Sequence, residues 1–304
     1  FGALPPRGLG SRAARAARIR GDVDATMLGL VKPISVGING DAKAATAELL
    51  VRLAGRELAC RANQAERSQR ITAEKSAWEQ ELGAWTHERD PFSLAIAQGS
   101  KFMHPRQMLR ELEQAMPPGA MVATDIGNVC SVANSYLRFE QPRSLFAAMS
   151  FGNCGYAFPV ACGAKIAAPE RPAIAYVGDG AWGISLNELL TCAREKIGVT
   201  VIVFNNGQWG AEKKNHVDFY SRRFNAVNLD SPSWAAVAQA FGCEGVTIDR
   251  LSDVGPALKA AVQAQAAGKC TVLEMMLTQE LGDPFRRDAL SKPVRHLEKY
   301  QAYT

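Results

Sequence analysis

The chain has 304 residues, room for one large or two ordinary domains. Its formal charge of +5 comes from 35 Lys+Arg against 30 Asp+Glu, and five arginines (Arg7, Arg12, Arg15, Arg18, Arg20) precede the first acid, Asp22. The remainder is balanced, so no basic stripe argues for a nucleic-acid partner, and no apolar run of about 18 residues argues for a membrane span.

In chain order, the first 21 residues are rich in Arg and Ala and hold no acid, which gives them the look of a transit peptide. Ile34-Ser35-Val36-Gly37-Ile38 predicts a strand, Asp41 a helix cap, and the residues to Leu53 a helix. One such βα unit is too small for a core of its own. Residues 56–90 are charged and helical, with Trp78 and Trp85 seven apart on one face, a packing or docking stripe. Phe92 to Lys101 reads as a linker. From Phe102 onward strands and helices alternate. The strands are expected at 121–124, 145–147, 173–177, 200–204 and 271–275, with a weaker one at 245–247. This alternation predicts an α/β fold with a doubly wound parallel sheet.

Two of these strands carry the chemistry. The run Ala173-Ile174-Ala175-Tyr176-Val177 leads into Gly178-Asp179-Gly180. The run Val199 to Phe204 leads into Asn205-Asn206, and 24 residues separate Gly180 from Asn205. Between them Ala181 to Lys196 has helical spacing. Ser185 and Glu188 have capping-box spacing, so the regular helix is expected from Ser185, and Ile197-Gly198 is expected to end it. Parallel strands joined by one helix end at the same sheet edge, which sets Asp179 and Asn206 side by side. That edge is where open α/β sheets bind ligands. A carboxylate, an amide oxygen and free helix N-terminal amides suit a hard cation holding a diphosphate. Magnesium would take Asp179, Asn206, a backbone carbonyl just past the strand, two diphosphate oxygens and a water. Either motif alone reads as a turn or a loop start; together, at crossover spacing, they point to a site.

The chain thereby resembles the thiamine diphosphate-dependent enzymes, whose signature is Gly-Asp-Gly, a spacer of this length, and Asn-Asn. Thr124-Asp125-Ile126-Gly127-Asn128 is similar to the strand-end loop that reaches the diphosphate in the acetolactate synthase-like branch. Gly152-Asn153-Cys154-Gly155 is similar to the loop that grips the aminopyrimidine. The resemblance implies that Asp179, Asn206 and the carbonyl of Gln208 hold Mg2+. It implies that Gly180, Ala181 and Asn128 hold the diphosphate, and that the backbone of Gly152 and Cys154 bonds the pyrimidine edge. Cys154 departs from the pattern, which has a larger apolar side chain wedged under the cofactor. A Cys is a small hydrophobe that fills the place more loosely, and nothing marks it as a nucleophile.

Within this branch the segments 206–215, 217–220, 222–224, 280–288 and 292–294 resemble the sulfoacetaldehyde acetyltransferases, which take part in taurine catabolism. The implied reaction is thiamine diphosphate-dependent conversion of sulfoacetaldehyde and phosphate to acetyl phosphate and sulfite. Both substrates are small anions, so cations should line the pocket. Arg286 and Arg287 come first, with Lys213 and Lys214 behind them, each weighed against being a solvated surface charge. Glu212 and Asn215 face either the substrate channel or the helix surface. An acetolactate synthase-like carboligase, and a non-catalytic diphosphate-binding subunit needing a partner chain, are the alternatives.

The resemblance also implies a domain plan. Residues 1–55 would be a remnant of a middle α/β domain, 56–101 a helical linker, and 102–304 the diphosphate-binding domain with a tail. A start at Phe1 rather than Met, with Ile19 to Leu30 similar to the middle domain's strand and Asp-x-Asp turn, leads us to expect an N-terminal truncation. The activating Glu belongs to a pyrimidine-binding domain ahead of that point, so no catalytic residue is expected in this chain, which should be inactive alone. The complete enzyme is expected to be a homodimer or homotetramer. The seven cysteines (Cys60, Cys130, Cys154, Cys162, Cys192, Cys243, Cys270) include no Cys-x-x-Cys pair and read as free thiols of a reducing, cytoplasmic setting. The four His form no metal cluster.

Overall fold

The computed structural model describes residues 17–30, 33–56, 63–87, 102–148 and 151–280. Two compact units divide the chain, 1–79 and 80–304. In the first, β1 (Ile19–Asp22) pairs in parallel with β2 (Val36–Asn39), and α1 (Ala42–Leu53) follows. Asp41 caps α1 as its sequence position suggests, accepting from the Lys43 and Ala44 amides at 3.0 Å each. No residue of α1 is buried within the chain, and Leu50 and Val51 are 65% and 70% exposed. The charged stretch forms one long helix, α2 (Gln64–His87). Trp78 is partly exposed; the side chain of Trp85 and the 92–101 linker lie outside the described residues.

The second unit is built on a six-stranded, all-parallel sheet. Its strands are β3 (Met121–Thr124), β4 (Leu145–Ala147), β5 (Ala173–Gly178), β6 (Thr200–Asn205), β7 (Glu244–Ile248) and β8 (Thr271–Met276). Their spatial order is β4-β3-β5-β6-β8-β7. The helices are α3 (Pro105–Ala115), α4 (Asn128–Ala133), α5 (Ala157–Ala167), α6 (Asp179–Ser185), α7 (Leu189–Glu195), α8 (Gly210–Phe219), α9 (Trp234–Ala240) and α10 (Leu251–Ala264).

The central strands are mostly apolar because both their faces are covered. Successive side chains alternate between two cores. Val122, Ile174, Tyr176, Ile202 and Leu273 pack beneath α3 and α10. Ala123, Ala175, Val177, Val201 and Val272 pack against α5, Trp182 of α6 and Leu189 of α7. At about 25 cal/mol per Å² of apolar surface buried, these two layers dominate the stability of the unit.

The crossover between β5 and β6 departs from its sequence reading. The helix starts at Asp179, six residues before Ser185, and a single turn of 3-10 helix at Leu186–Glu188 splits it into α6 and α7. Ser185 makes no cap, and its buried hydroxyl has no partner among the described residues. Packing of Trp182 under the sheet places the helix start, overriding the capping-box spacing. The left-handed residue that ends α7 is Lys196, at φ 53°, rather than Gly198. Gly198 serves another need, since a Cβ there would lie 2.4 Å from the Gln265 carbonyl oxygen.

Candidate active site

The chain order of the sheet reverses between β3 and β5. From β3 the chain turns to β4 on one side; from β5 it proceeds to β6 on the other. The carboxyl ends of β3 and β5 thus open a crevice that no crossover covers, the place where doubly wound sheets take ligands. A cavity of about 270 Å³ lies there. A larger one, about 490 Å³, opens beside Gly119 and Ala120 at the amino-terminal end of β3, away from the strand ends that carry the motifs.

The sequence-derived cofactor and metal residues converge on the first cavity. Asn128, Gly152, Cys154, Asp179, Gly180, Ala181, Asn206 and Gln208 all line it. Asp179 leads α6 directly off β5 and is 2% exposed. Its Oδ1 accepts from the Gly180 amide at 3.0 Å and its Oδ2 from the Gly207 amide at 2.7 Å. Burial outweighs these bonds and pushes its pKa up to about 6. Gly207, at φ +63°, makes the turn that aims its amide at Asp179.

Two glycines define how closely the walls approach. A Cβ on Gly180 would lie 2.8 Å from the Trp209 indole. A Cβ on Gly210 would lie 3.5 Å from Asn128 Cβ, 3.7 Å from Gln208 Nε2 and 3.8 Å from Asn206 Nδ2. Gly210 therefore marks the point where the loops after β3 and β6 meet. The Gln208 side-chain oxygen is buried without a partner among the described residues, while its Nε2 donates to the Gln279 carbonyl at 3.2 Å. Oxygen acceptors, small residues and the N-terminus of α6 together fit a diphosphate held through a hard cation.

Asp125, Cys154 and Glu274, the last unassigned by sequence reasoning, shape this site. Asp125, 2% exposed, accepts from the Tyr156 amide at 2.7 Å and the Ala157 amide at 2.9 Å, tying the end of β3 to the start of α5. Its Oδ2 has no partner among the described residues, and burial holds its pKa above the usual carboxylate range. Cys154 Sγ donates to the Ile126 carbonyl at 3.8 Å, and burial raises its pKa, which suits packing rather than attack. Glu274 is a charge inside the apolar strand β8, and that mismatch was the visible signal. It accepts from Asn205 Nδ2 at 2.8 Å, the Trp234 amide at 3.0 Å and Thr247 Oγ1 at 2.9 Å.

Of the described substrate candidates, Lys213 and Lys214 do not line this cavity. Lys213 is 4% exposed, and its ammonium donates to Gln279 Oε1 at 2.9 Å and Asn228 Oδ1 at 3.2 Å, with the Phe224 ring 5.5 Å away. Burial lowers its pKa. Lys214 is half-buried on α8. Glu212 lines the cavity and accepts from Asn215 Nδ2 at 3.2 Å. Arg286 and Arg287 lie outside the described residues.

Residues 125–275 match the family model for the thiamine pyrophosphate enzyme C-terminal TPP-binding domain. The chain is 64% identical over 310 residues to a sulfoacetaldehyde acetyltransferase of Castellaniella defragrans, covering 100% of this chain and 52% of that protein. It is 30% identical to an acetolactate synthase of Mycobacterium bovis, covering 87% of this chain and 41% of that protein. Among solved structures, benzoylformate decarboxylase from Polynucleobacter necessarius superposes with a TM-score of 0.64 at 17% identity, covering 87% of this chain and 45% of that one. This last likeness is one of fold. The chain spans about half the length of the curated relatives it matches.

Proposed function

Given that the chain belongs, through its residues 125–275, to the thiamine pyrophosphate enzymes, we propose that it furnishes the diphosphate half of the cofactor site in a sulfoacetaldehyde acetyltransferase. The reaction is conversion of sulfoacetaldehyde and phosphate to acetyl phosphate and sulfite. The observation that carries this reading is the convergence of Asp179, Asn206 and Asn128 on one crevice at the sheet's switch point. The 64% identity to a relative of that name supports the choice of substrate.

In this reading Asp179, the Asn206 amide oxygen and the Gln208 carbonyl hold Mg2+. Asn128, Gly180 and Ala181 receive the diphosphate at the start of α6. The backbone of Gly152 and Cys154 receives the pyrimidine edge, held in register by Asp125. Once bound, the cofactor supplies a nucleophilic carbon for attack on an aldehyde carbonyl. What this chain adds is placement. The Gly207 and Gly180 amides fix the Asp179 carboxylate, and the Trp209 indole against Gly180 closes one wall to water. Arg286 and Arg287 remain the proposed partners of the sulfonate and phosphate groups. Lys213 instead braces the 207–208 loop through Gln279. The domain plan of 1–55, 56–101 and 102–304, a homodimer or homotetramer, and a cytoplasmic setting in taurine catabolism complete the proposal; the six described cysteines are free thiols, in keeping with a reducing compartment.

Calorimetry of the chain with thiamine diphosphate and Mg2+ tests the site. Asp179→Ala is expected to abolish magnesium-dependent binding, and unchanged affinity would sink the metal assignment. Release of sulfite rather than carbon dioxide by the complete enzyme separates this function from that of an acetolactate synthase-like carboligase.

A further inference from the structure

Four of the chain's thiols gather on one side of the sheet, remote in sequence from one another. Cys162 sits on α5, Cys192 on α7, Cys243 just before β7 and Cys270 just before β8. All four belong to the core layer that α5 and α7 press against the strands. Cys162 Sγ and Cys192 Sγ are 3.4 Å apart. Cys243 Sγ instead donates to the Leu189 carbonyl at 3.5 Å. Cys192 is fully buried and Cys270 3% exposed, whereas Cys162 and Cys243 are partly exposed. Among the described residues no group of three or more His, Cys, Asp or Glu side chains is arranged to hold a metal ion. A close dithiol of this kind is open to two-electron oxidation.

We propose that Cys162 and Cys192 form an oxidation site for hydroperoxides, closing to a disulfide between α5 and α7. A disulfide needs its sulfurs about 2 Å apart, so the pair closes by a shift of little more than 1 Å, within reach of side-chain rotation. Cys162, the accessible thiol, attacks the peroxide. A sulfur–oxygen bond forms, the O–O bond breaks, and the alcohol departs with the thiol proton, leaving a sulfenic acid. The Cys192 sulfur then attacks the Cys162 sulfur. The S–S bond forms, the S–O bond breaks, and water leaves with the Cys192 proton. Two thiols are oxidised and one hydroperoxide is reduced to an alcohol and water. Hydrogen bonding within the pair pushes the Cys162 thiol up and draws the Cys192 thiol down, so the choice of Cys162 as the attacking group rests on its exposure. Reversible oxidation is the use to which a reducing compartment puts a close dithiol. The bond would join α5, which follows the Gly152–Gly155 loop, to α7.

The test is peptide mapping of the full chain, without reduction, after treatment with a small excess of hydrogen peroxide. The expected result is a Cys162–Cys192 cross-linked peptide, loss of two titratable thiols, and restoration of both by dithiothreitol. Cys162→Ser should lose the cross-link, while Cys243→Ser should keep it. Three results would overturn the proposal: Cys162 recovered as sulfinic acid without a cross-link, Cys192 joined to Cys270 instead, or an unchanged thiol count.

Discussion

The Asn205 side chain donates to Glu274 at 2.8 Å, whereas Asn206 lines the cavity. The first Asn of the pair is bound into the sheet and the second is free to face a ligand, because successive residues of a strand point to opposite faces. The sequence pointed to Asn206 for the metal but gave Asn205 no role, since that depends on Glu274, 69 residues away. At Gly180 the reverse holds. A glycine after the strand was legible as a close-approach position, and the structure names what approaches, the Trp209 indole. Gly180→Ala is therefore expected to force the indole aside and weaken thiamine diphosphate binding by about tenfold or more, the scale of a 1–3 kcal/mol overpacking cost. Calorimetry would read it, and wild-type affinity would mean that the wall gives freely. For the arginine pair, Arg286→Ala in the complete enzyme should lower the specificity constant for an anionic substrate about tenfold or more, as expected when a charge-assisted hydrogen bond of about 1.5–3 kcal/mol is lost. An unchanged constant for both sulfoacetaldehyde and phosphate would make Arg286 a surface charge.

At the scale of elements, α9 and β8 are joined by one carboxylate. Glu274 is 1% exposed and accepts from Ser233 Oγ and from the Trp234 and Ala235 amides at the start of α9, besides Asn205 and Thr247. Burial alone would raise its pKa, but these donors together hold it below the ordinary glutamate value. A lowered folded-state pKa contributes stability that is fully present above the unfolded value, about 4.3, and is lost as pH falls through the folded one. Glu274→Gln should thus lower the midpoint of thermal unfolding at pH 7, by an amount that shrinks below about pH 4. An equal deficit at both pH values would rule out a charge-dependent role. The split crossover makes a second test. Ser185 has capping-box spacing, and a working cap would be worth about 1 kcal/mol. In the fold its hydroxyl is buried and unpartnered among the described residues, so Ser185→Ala should leave stability unchanged or raise it. A loss of about 1 kcal/mol in denaturant unfolding would restore the capping role.

Across the whole molecule, ligand binding should be felt unevenly. The residues proposed to hold the cofactor all belong to the unit spanning 80–304. A ligand that binds only the native state stabilises it by about 2.7 kcal/mol at a hundredfold excess over Kd. Thiamine diphosphate with Mg2+ should slow hydrogen exchange at 126–130, 178–181 and 206–212 and leave residues 19–53 unchanged. Equal protection in both units would contradict the placement of the site.

The sequence by itself determined the parallel α/β sheet, the strand positions and the two motifs at their ends. Those features are local: apolar runs covered on both faces, glycines at turns, and a spacer of crossover length. It also marked Asp179 and Asn206, because one crossover brings adjacent strand ends together whatever else the chain does. Tertiary structure alone decided the rest. Strand order β4-β3-β5-β6-β8-β7 placed the switch point at Asn128 and Asp179. Burial turned Lys213 into a brace for Gln279, a role that a lysine next to a metal loop does not announce. Packing of α5 on α7 set Cys162 against Cys192, thirty residues apart. Each depends on which distant surfaces share a core, and side-chain spacing along one segment carries no record of what another segment will press against it.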